Sequence, residues 1–326
     1  MAKTLSVTTR RRKPAEAGDT PIAKAIEDFE SYLRVTRSLP AYNVRNYFHY
    51  PLMAIVPPFC EERGIDVMKG LDREAVDQLV LFIEGLRSKR NGAPISPASR
   101  VAYLKAVKYF LRWAQGEKMT PVDGDHIGLP ALKKQHKDVL TKDEQRRLEA
   151  GAQSERDKLI IKVMLETAAR EEGVANIQTT DLVERDRRFY FVRVTDKTGT
   201  RQPPITPELY RRLVDYRAGK TGRARTRSSF LFIATHRDRT TKQHEPLGTA
   251  GVYRAIKKAA EVAELDRERV KPHLLRATAI TRMCNAGMHP AMVSEITGVS
   301  VAVIARHYHH PAPEDVWQAA MLALDE

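Results

Sequence analysis

The chain is 326 residues long, 42% hydrophobic and 29% charged, which is too long for one ordinary core and too apolar for wholesale disorder, so two domains are expected. Lysine and arginine number 55 against 41 acidic residues, a formal net charge of +14. That excess points to a polyanionic partner, because each neutralised phosphate releases condensed counterions; a basic surface that serves only solubility is the plainer alternative.

No apolar run approaches the roughly 18–20 residues that span a bilayer. The opening residues are polar and end in Arg10, Arg11, Arg12 and Lys13, with no apolar stretch behind them to make a signal peptide. A cytoplasmic protein is expected. Cys60 and Cys284 are the only cysteines, too few for a disulfide framework or a thiolate metal site.

Residues 1–20 read as a basic flexible tail. From Pro21, Ile22, Ile26, Phe29 and Leu33 recur at helical spacing and mark a first helix. A second helical run covers Tyr42 to Tyr50, and Pro51, Pro57 and Pro58 are expected to break the segment after it. A third spans Arg73 to Arg87, with Val76, Leu79, Ile83 and Leu86 on one face, and a turn follows at Asn91-Gly92. A fourth, Pro97 to Ala114, turns Leu104, Val107, Leu111 and Ala114 inward. Its outer side carries Arg100, Lys105, Lys108 and Arg112, which suits either a DNA backbone or a solvated helix face. Residues 21–120 thus form a helical domain, and 121–138 read as a linker.

Residues 139–326 form a larger mixed domain. Thr141 and Glu144 have the spacing of a capping box, and Leu159 to Ala169 is a buried helix ending at Arg170. Arg188 to Thr195 is rich in Phe, Tyr and Val and reads as a strand. Asp196-Lys197-Thr198-Gly199 is a hairpin turn, with Gln202 to Thr206 as the return strand. Helices are expected at Pro207–Ala218 and Thr249–Ala263 around a short apolar stretch, Phe230–Ala234, and Gly219–Arg227 reads as an unanchored basic loop. Further helices follow over Pro272–Ala286, Pro290–Thr297, Val301–Tyr308 and Pro313–Leu324. The fold class is mostly α with a small antiparallel β-sheet in the C-terminal domain.

His273 and Arg276 lie three apart near a helix start and project on one side, a donor pair that suits a phosphate. A surface pair explains any single H-x-x-R equally well. The order around it carries more: Arg170 ending a buried helix, Lys197 in a hairpin turn, His273-Leu274-Leu275-Arg276, Thr297-Gly298, then His307-Tyr308. Tyr308 alone could be an ordinary half-buried aromatic. His307, His309 and His310 lack an acidic residue or cysteine to complete a ligand spacing, so no metal is expected.

In these residues the chain resembles the tyrosine recombinase (phage integrase) family. Glu166-Thr167-Ala168-Ala169-Arg170 is similar to the segment around the family's first catalytic arginine, Lys197 matches its lysine, His273 and Arg276 its H-x-x-R pair, and Tyr308 its nucleophile. The resemblance implies a helical core-binding domain followed by a catalytic domain, with no arm-binding domain in the short stretch before Pro21. Two positions depart from the pattern. Val299 stands where the family has a histidine or tryptophan, and it can donate no side-chain hydrogen bond. Gly173 stands where a supporting acid is usual, and Glu171 or Glu172 is near enough in sequence to substitute.

What the resemblance implies is site-specific DNA breakage and rejoining through a 3′-phosphotyrosine, without cofactor or metal. The implied partner is double-stranded DNA with paired recombination sites, bound by a homotetramer on synapsed DNA and by a monomer or dimer otherwise. Accessory DNA-binding proteins fit the same reading. Two other functions stay open: a DNA-binding protein of this fold with lost cleavage, for which Val299 argues, and a DNA-relaxing enzyme similar to type IB topoisomerases. Whether the outcome is integration, excision, resolution or inversion is not written in these residues.

Overall fold

The computed structural model describes residues 17–88, 91–131, 138–224, 226, 228–308, 317 and 321. The C-terminal helix expected over Pro313–Leu324 lies outside them, apart from Trp317 and Met321, which are helical. His309, His310 and most of the basic tail also lie outside. The chain divides into two compact units, Met1–Lys133 and Lys134–Glu326. No helix among the described residues is long and apolar enough to cross a membrane.

Unit 1 is helical: α1 (Ile22–Val35), α2 (Ala41–Val44), α3 (Tyr50–Arg63), α4 (Arg73–Gly85) and α5 (Pro97–Gly116). The expected stripe of α1 is its buried face. Phe29 sits at the middle of an aromatic core, with ring centroids 5.4 Å from Trp113, 5.6 Å from Phe110 and 5.7 Å from Phe48. Asp72 caps α4 and Ser96 caps α5, each accepting from a backbone N–H. The described part of the segment after α5 is packed: Thr120 donates to the Leu71 carbonyl at 2.7 Å, and Val122 and Ile127 are buried in the same core.

The prolines after Tyr50 do not end the helical segment. A five-residue π turn, Arg45–His49, leads into α3, which runs through Pro51, Pro57 and Pro58. Pro51 falls where the π turn gives way to α3, so its missing N–H coincides with the change from π to α bonding. Pro57 and Pro58 leave the carbonyls of Met53 and Ala54 without helical donors, and both those residues are exposed, so water can serve them. The opposite face buries Leu52, Ile55, Val56 and Phe59 completely, and that burial outweighs the lost bonds.

Among the described residues, unit 2 combines helices with three two-stranded antiparallel sheets. Its elements are α6 (Lys142–Gly151), α7 (Glu155–Thr167), α8 (Glu171–Ala175), β1 (Leu182–Arg185), β2 (Phe189–Val192), β3 (Val194–Asp196) and β4 (Gly199–Arg201). After them come α9 (Pro207–Arg217), β5 (Ile233–Arg237), β6 (His244–Pro246), α10 (Gly248–Val262), α11 (Pro272–Asn285), α12 (Pro290–Thr297) and α13 (Val301–His307). The capping box of Thr141 and Glu144 starts α6 with both reciprocal bonds made. Leu159, Ile160, Ile161, Val163 and Met164 of α7 are fully buried in the unit's main core.

Three local readings are corrected. The stretch read as one strand is two, β2 paired with β1 and β3 paired with β4: the bond from Arg193 N–H to the Asp181 carbonyl continues the β1–β2 register, and from Val194 the chain pairs with β4 instead. The return strand is Gly199–Arg201 rather than Gln202–Thr206. The later stretch, with prolines at 203 and 204, pairs with the edge of β2 at a single antiparallel bridge, Phe191 with Pro204, where Val192 N–H donates to the Pro203 carbonyl and Ile205 N–H to the Tyr190 carbonyl. The loop after α9 is anchored, and by a charge: buried Arg223 donates to the carbonyls of Leu231, Ser228 and Phe230 at 3.1, 3.2 and 2.8 Å.

Candidate active site

The end of α7 creates the seat for Arg170. Thr167 donates its hydroxyl to the Val163 carbonyl at 2.6 Å and accepts the Ala169 N–H at 3.1 Å. Ala168 closes the helix in the left-handed region, φ 53°, a conformation that costs a residue with a Cβ about 1 kcal/mol or more. This turn redirects the chain so that Arg170 becomes the N-cap of α8. Its Nη1 donates to both oxygens of Asp196, at 3.2 Å each, and to Thr198 Oγ1 at 3.0 Å.

Asp196 was not among the residues singled out from sequence. It ends β3, its side chain is completely buried, and it accepts from the Thr198 N–H at 2.9 Å, the Thr198 hydroxyl at 2.5 Å and Arg201 Nη1 at 3.0 Å. Burial alone would raise its carboxyl, but the Thr198 hydrogen bonds and the Arg201 charge prevail and hold it well below the usual carboxylate range. Gly173 explains how it gets there. A Cβ on Gly173 would stand 2.6 Å from Val194 Cγ1, so the missing side chain lets β3 lie against α8 and bring Asp196 to Arg170. The acid that engages Arg170 is therefore neither Glu171 nor Glu172. The available signal was the inward alternation Val194-x-Asp196 on a strand otherwise read as ending in a polar turn.

Arg276 lies one turn into α11 and is 3% exposed. Its Nη1 donates to the Ala168 carbonyl and its Nη2 to the Thr297 carbonyl at 2.9 Å, so one guanidinium ties the α7 corner to the end of α12. Five N–H groups on a guanidinium leave others for a ligand. Burial, then the neighbouring charges of Arg170 and Arg201, push its pKa down to about 10. The site thus concentrates positive charge and favours an anion.

Tyr308 follows α13, its N–H bonded to the Ile304 carbonyl at 2.9 Å. The ring is 8% exposed within a small cluster that includes Ala168, Ile280, Met283, Cys284 and Ile304. Burial holds its hydroxyl above the ordinary value of 10, and the charges of Arg276 and then Arg170 offset that only in part. Arg170, Arg276 and Tyr308 are thus brought into one electrostatic pocket. His273, in the first turn of α11, and Lys197, in the two-residue turn between β3 and β4, are exposed. Each is near a pocket member along the chain: Lys197 is next to Asp196, and His273 is one turn before Arg276. Val299 packs against the Tyr308 cluster.

On α5 of unit 1, the four basic residues singled out as DNA contacts divide. Arg100 pairs with Glu84, while Lys108, at 3.0 Å, and Arg112 share Asp125. Lys108 also donates to the Ile127 carbonyl at 3.2 Å. Lys105 is exposed.

A family model described as phage integrase matches residues 134–315. The chain belongs to the phage integrase family, whose curated relatives here are tyrosine recombinases. One, from Pseudothermotoga lettingae, is 22% identical over 306 residues, 93% of this chain and 99% of the relative. Tyrosine recombinase XerA of Pyrococcus horikoshii is 24% identical over 273 residues, 84% of each chain. Among solved structures, the Tn1549 transposon integrase in complex with a circular intermediate DNA has a TM-score of 0.67 at 14% identity, covering 94% of this chain and 99% of that one. XerH site-specific recombinase bound to difH substrate has a TM-score of 0.64 at 17% identity, covering 92% and 84%. These structures share the fold: mostly helical with small antiparallel sheets.

Proposed function

We propose that the protein is a site-specific DNA recombinase that cleaves and rejoins double-stranded DNA through a covalent 3′-phosphotyrosine at Tyr308. The observation that carries this is the placement of a buried tyrosine, Tyr308, in one cluster with Ala168, whose carbonyl accepts from Arg276, and in the field of Arg276 and Arg170. A neutral phenol is a poor nucleophile, and two permanently charged forks favour both the phenolate and the developing phosphorane charge.

In this reading the Tyr308 oxygen attacks the scissile phosphorus in line, giving its proton to His273. The P–O5′ bond breaks and the 5′ oxygen takes a proton from Lys197. Arg170 and Arg276 meet the charge on the non-bridging oxygens. The new phosphotyrosine ester conserves the bond, so attack by a 5′ hydroxyl of the partner strand reverses the step without nucleotide or metal. Unit 1 serves as the core-binding domain, with the α5 face toward the DNA backbone. Synapsis of paired sites by a homotetramer, with accessory DNA-binding proteins where the element requires them, completes the reading.

A nicked suicide duplex tests it. Wild-type protein should accumulate a DNA-linked species, and Tyr308→Phe should lose that species while keeping its DNA affinity. Wild-type levels of covalent product from Tyr308→Phe overturn the assignment. A DNA-binding protein with lost cleavage is the reading favoured by Val299, and it predicts no covalent product from the wild type. Strand exchange between two duplexes separates a recombinase from a relaxing enzyme.

A further inference from the structure

Arg201 has no assigned part in the reaction, yet among the described residues it is the one charged side chain with two buried, unpartnered donors. It ends β4, opposite Val194 in the hairpin register. Its side chain is 8% exposed and its Nη1 is bonded to Asp196. Its Nε and Nη2 are buried and have no hydrogen-bond partner. Orphaned buried donors cost free energy, and more so on a charged group.

The location of that deficit is informative. A Cβ built on Gly298 would stand 3.4 Å from Arg201 Nη1 and 3.7 Å from its Cζ, so the guanidinium lies against the residue immediately before Val299. Its charge reaches Arg276 as well. Three guanidinium groups, Arg170, Arg201 and Arg276, therefore gather around one carboxylate, Asp196. The cluster lacks negative charge and has spare donors, and a phosphodiester supplies the first while accepting from the second.

We propose that Arg201 is a further anion-contacting residue of the site, donating to a non-bridging phosphoryl oxygen and so providing the hydrogen bond that Val299 cannot. The proposal rests on the phosphoryl-transfer reading above. Its spare donors are shielded from water in the free protein, so contact requires the β3–β4 hairpin to shift against Gly298 as DNA arrives. The same hairpin carries Lys197, so one movement would bring both cations to the phosphate.

The test is single-turnover cleavage of nicked duplexes carrying either an ordinary scissile phosphodiester or a neutral methylphosphonate, with thermal melts alongside. Arg201→Gln should cleave the phosphodiester about a hundredfold or more slowly, the usual effect of removing one such donor. On the methylphosphonate, where the charge to be met is gone, the deficit should shrink to a few-fold. In a second arm, Val299→His should restore at least tenfold of the rate in the Arg201→Gln background and add little to the wild type. Equal slowing on both substrates, or an undiminished rate on the phosphodiester, overturns the proposal. Should Arg201→Gln fail to fold, Arg201→Lys carries the same comparison, since it keeps the charge and loses the planar fork. A wild type that forms no covalent product overturns the underlying reading and this proposal with it; a wild type that does, beside an unaffected Arg201 variant, overturns this proposal alone.

Discussion

Both units collect lysines and arginines, but they balance them differently. On α5, Arg100 is paired with Glu84, and Lys108 and Arg112 share Asp125. In the pocket, three arginines gather around the single carboxylate of Asp196, two of them bonded to it directly. The first arrangement sets two carboxylates against four cations and is partly exposed; the second sets one carboxylate against three arginines and is largely buried. Clustered basic residues in a sequence therefore say little about the local field, which depends on the counterions that the fold brings to them. A buried imbalance is also worth more than an exposed one, since water screens the latter.

The largest expected effect comes from removing the one counterion of the pocket. Asp196→Asn keeps the shape but leaves Arg170 and Arg201 without a charge partner in a desolvated site, and breaking such a pair costs about 3–5 kcal/mol of stability. Cleavage should fall with it, because Arg170 loses the acceptor that aims it. The carboxyl's folded pKa is depressed, so its stabilising contribution is fully present above the ordinary 3.8 and is lost as pH falls through the lower folded value. Wild-type stability should therefore drop steeply below about pH 4, and the Asp196→Asn variant should lack that component of the slope. Denaturation followed across the acid range reads both, and parallel curves would remove Asp196 from its role as the pocket's counterion.

Asp196 also marks the limit of what the sequence discloses. Arg170, Lys197, His273, Arg276 and Tyr308 could be singled out because each falls at a spacing or in a turn that a linear pattern records. The support for Arg170 could not. Its acid lies 26 residues downstream on a strand, and its access depends on the glycine at 173, which in one dimension reads only as a missing carboxylate. The two positions compensate in space: the side chain given up on α8 makes room for the one that β3 supplies. The long helices of unit 1 were legible from apolar periodicity and those of unit 2 from caps, composition and prolines, whereas α8 was too short to leave a pattern and α3 was read as broken, because proline's local penalty is visible in the sequence and the four side chains buried across from it are not. Arg201 was missed for the opposite reason. An arginine on a short strand is unremarkable until its donors are found enclosed.

An intermediate effect is expected at the pocket's exposed cation. Lys197→Ala removes no buried partner, so the fold and its melting temperature should hardly change. Cleavage of normal DNA should slow by about a hundred- to ten-thousandfold, the range for loss of a general acid. A 5′-bridging phosphorothioate, whose leaving group needs little protonation, should recover much of that rate. An equal deficit on both substrates would assign Lys197 to DNA positioning and would make the exposed part of the site resemble α5 rather than the pocket.

The smallest effect, and the one that tests the exposed side of the comparison, lies in Asp125. Its carboxylate occupies two cations of the α5 face, and all three side chains are solvent-accessible, at 23% for Lys108, 54% for Arg112 and 48% for Asp125. Such exposed pairs contribute only about 0–1 kcal/mol, so Asp125→Asn should fold as the wild type does. If α5 lies along the DNA backbone, Asp125 is a brake: an arriving phosphate must compete with it, and counterion release from Lys108 and Arg112 is partly cancelled. Relieving the brake should tighten binding a few-fold and steepen the dependence of log K on log salt by about one to two contacts' worth. Lys105→Gln should act in the other direction, weakening binding uniformly across sequences and flattening the slope by about one contact. Fluorescence anisotropy with a duplex at several salt concentrations measures both slopes. Opposite changes place the face on DNA with Asp125 as its internal competitor. Two unchanged slopes make the stripe a solvated helix surface whose charges are satisfied within unit 1, and the DNA contacts of that unit must then be sought on another face.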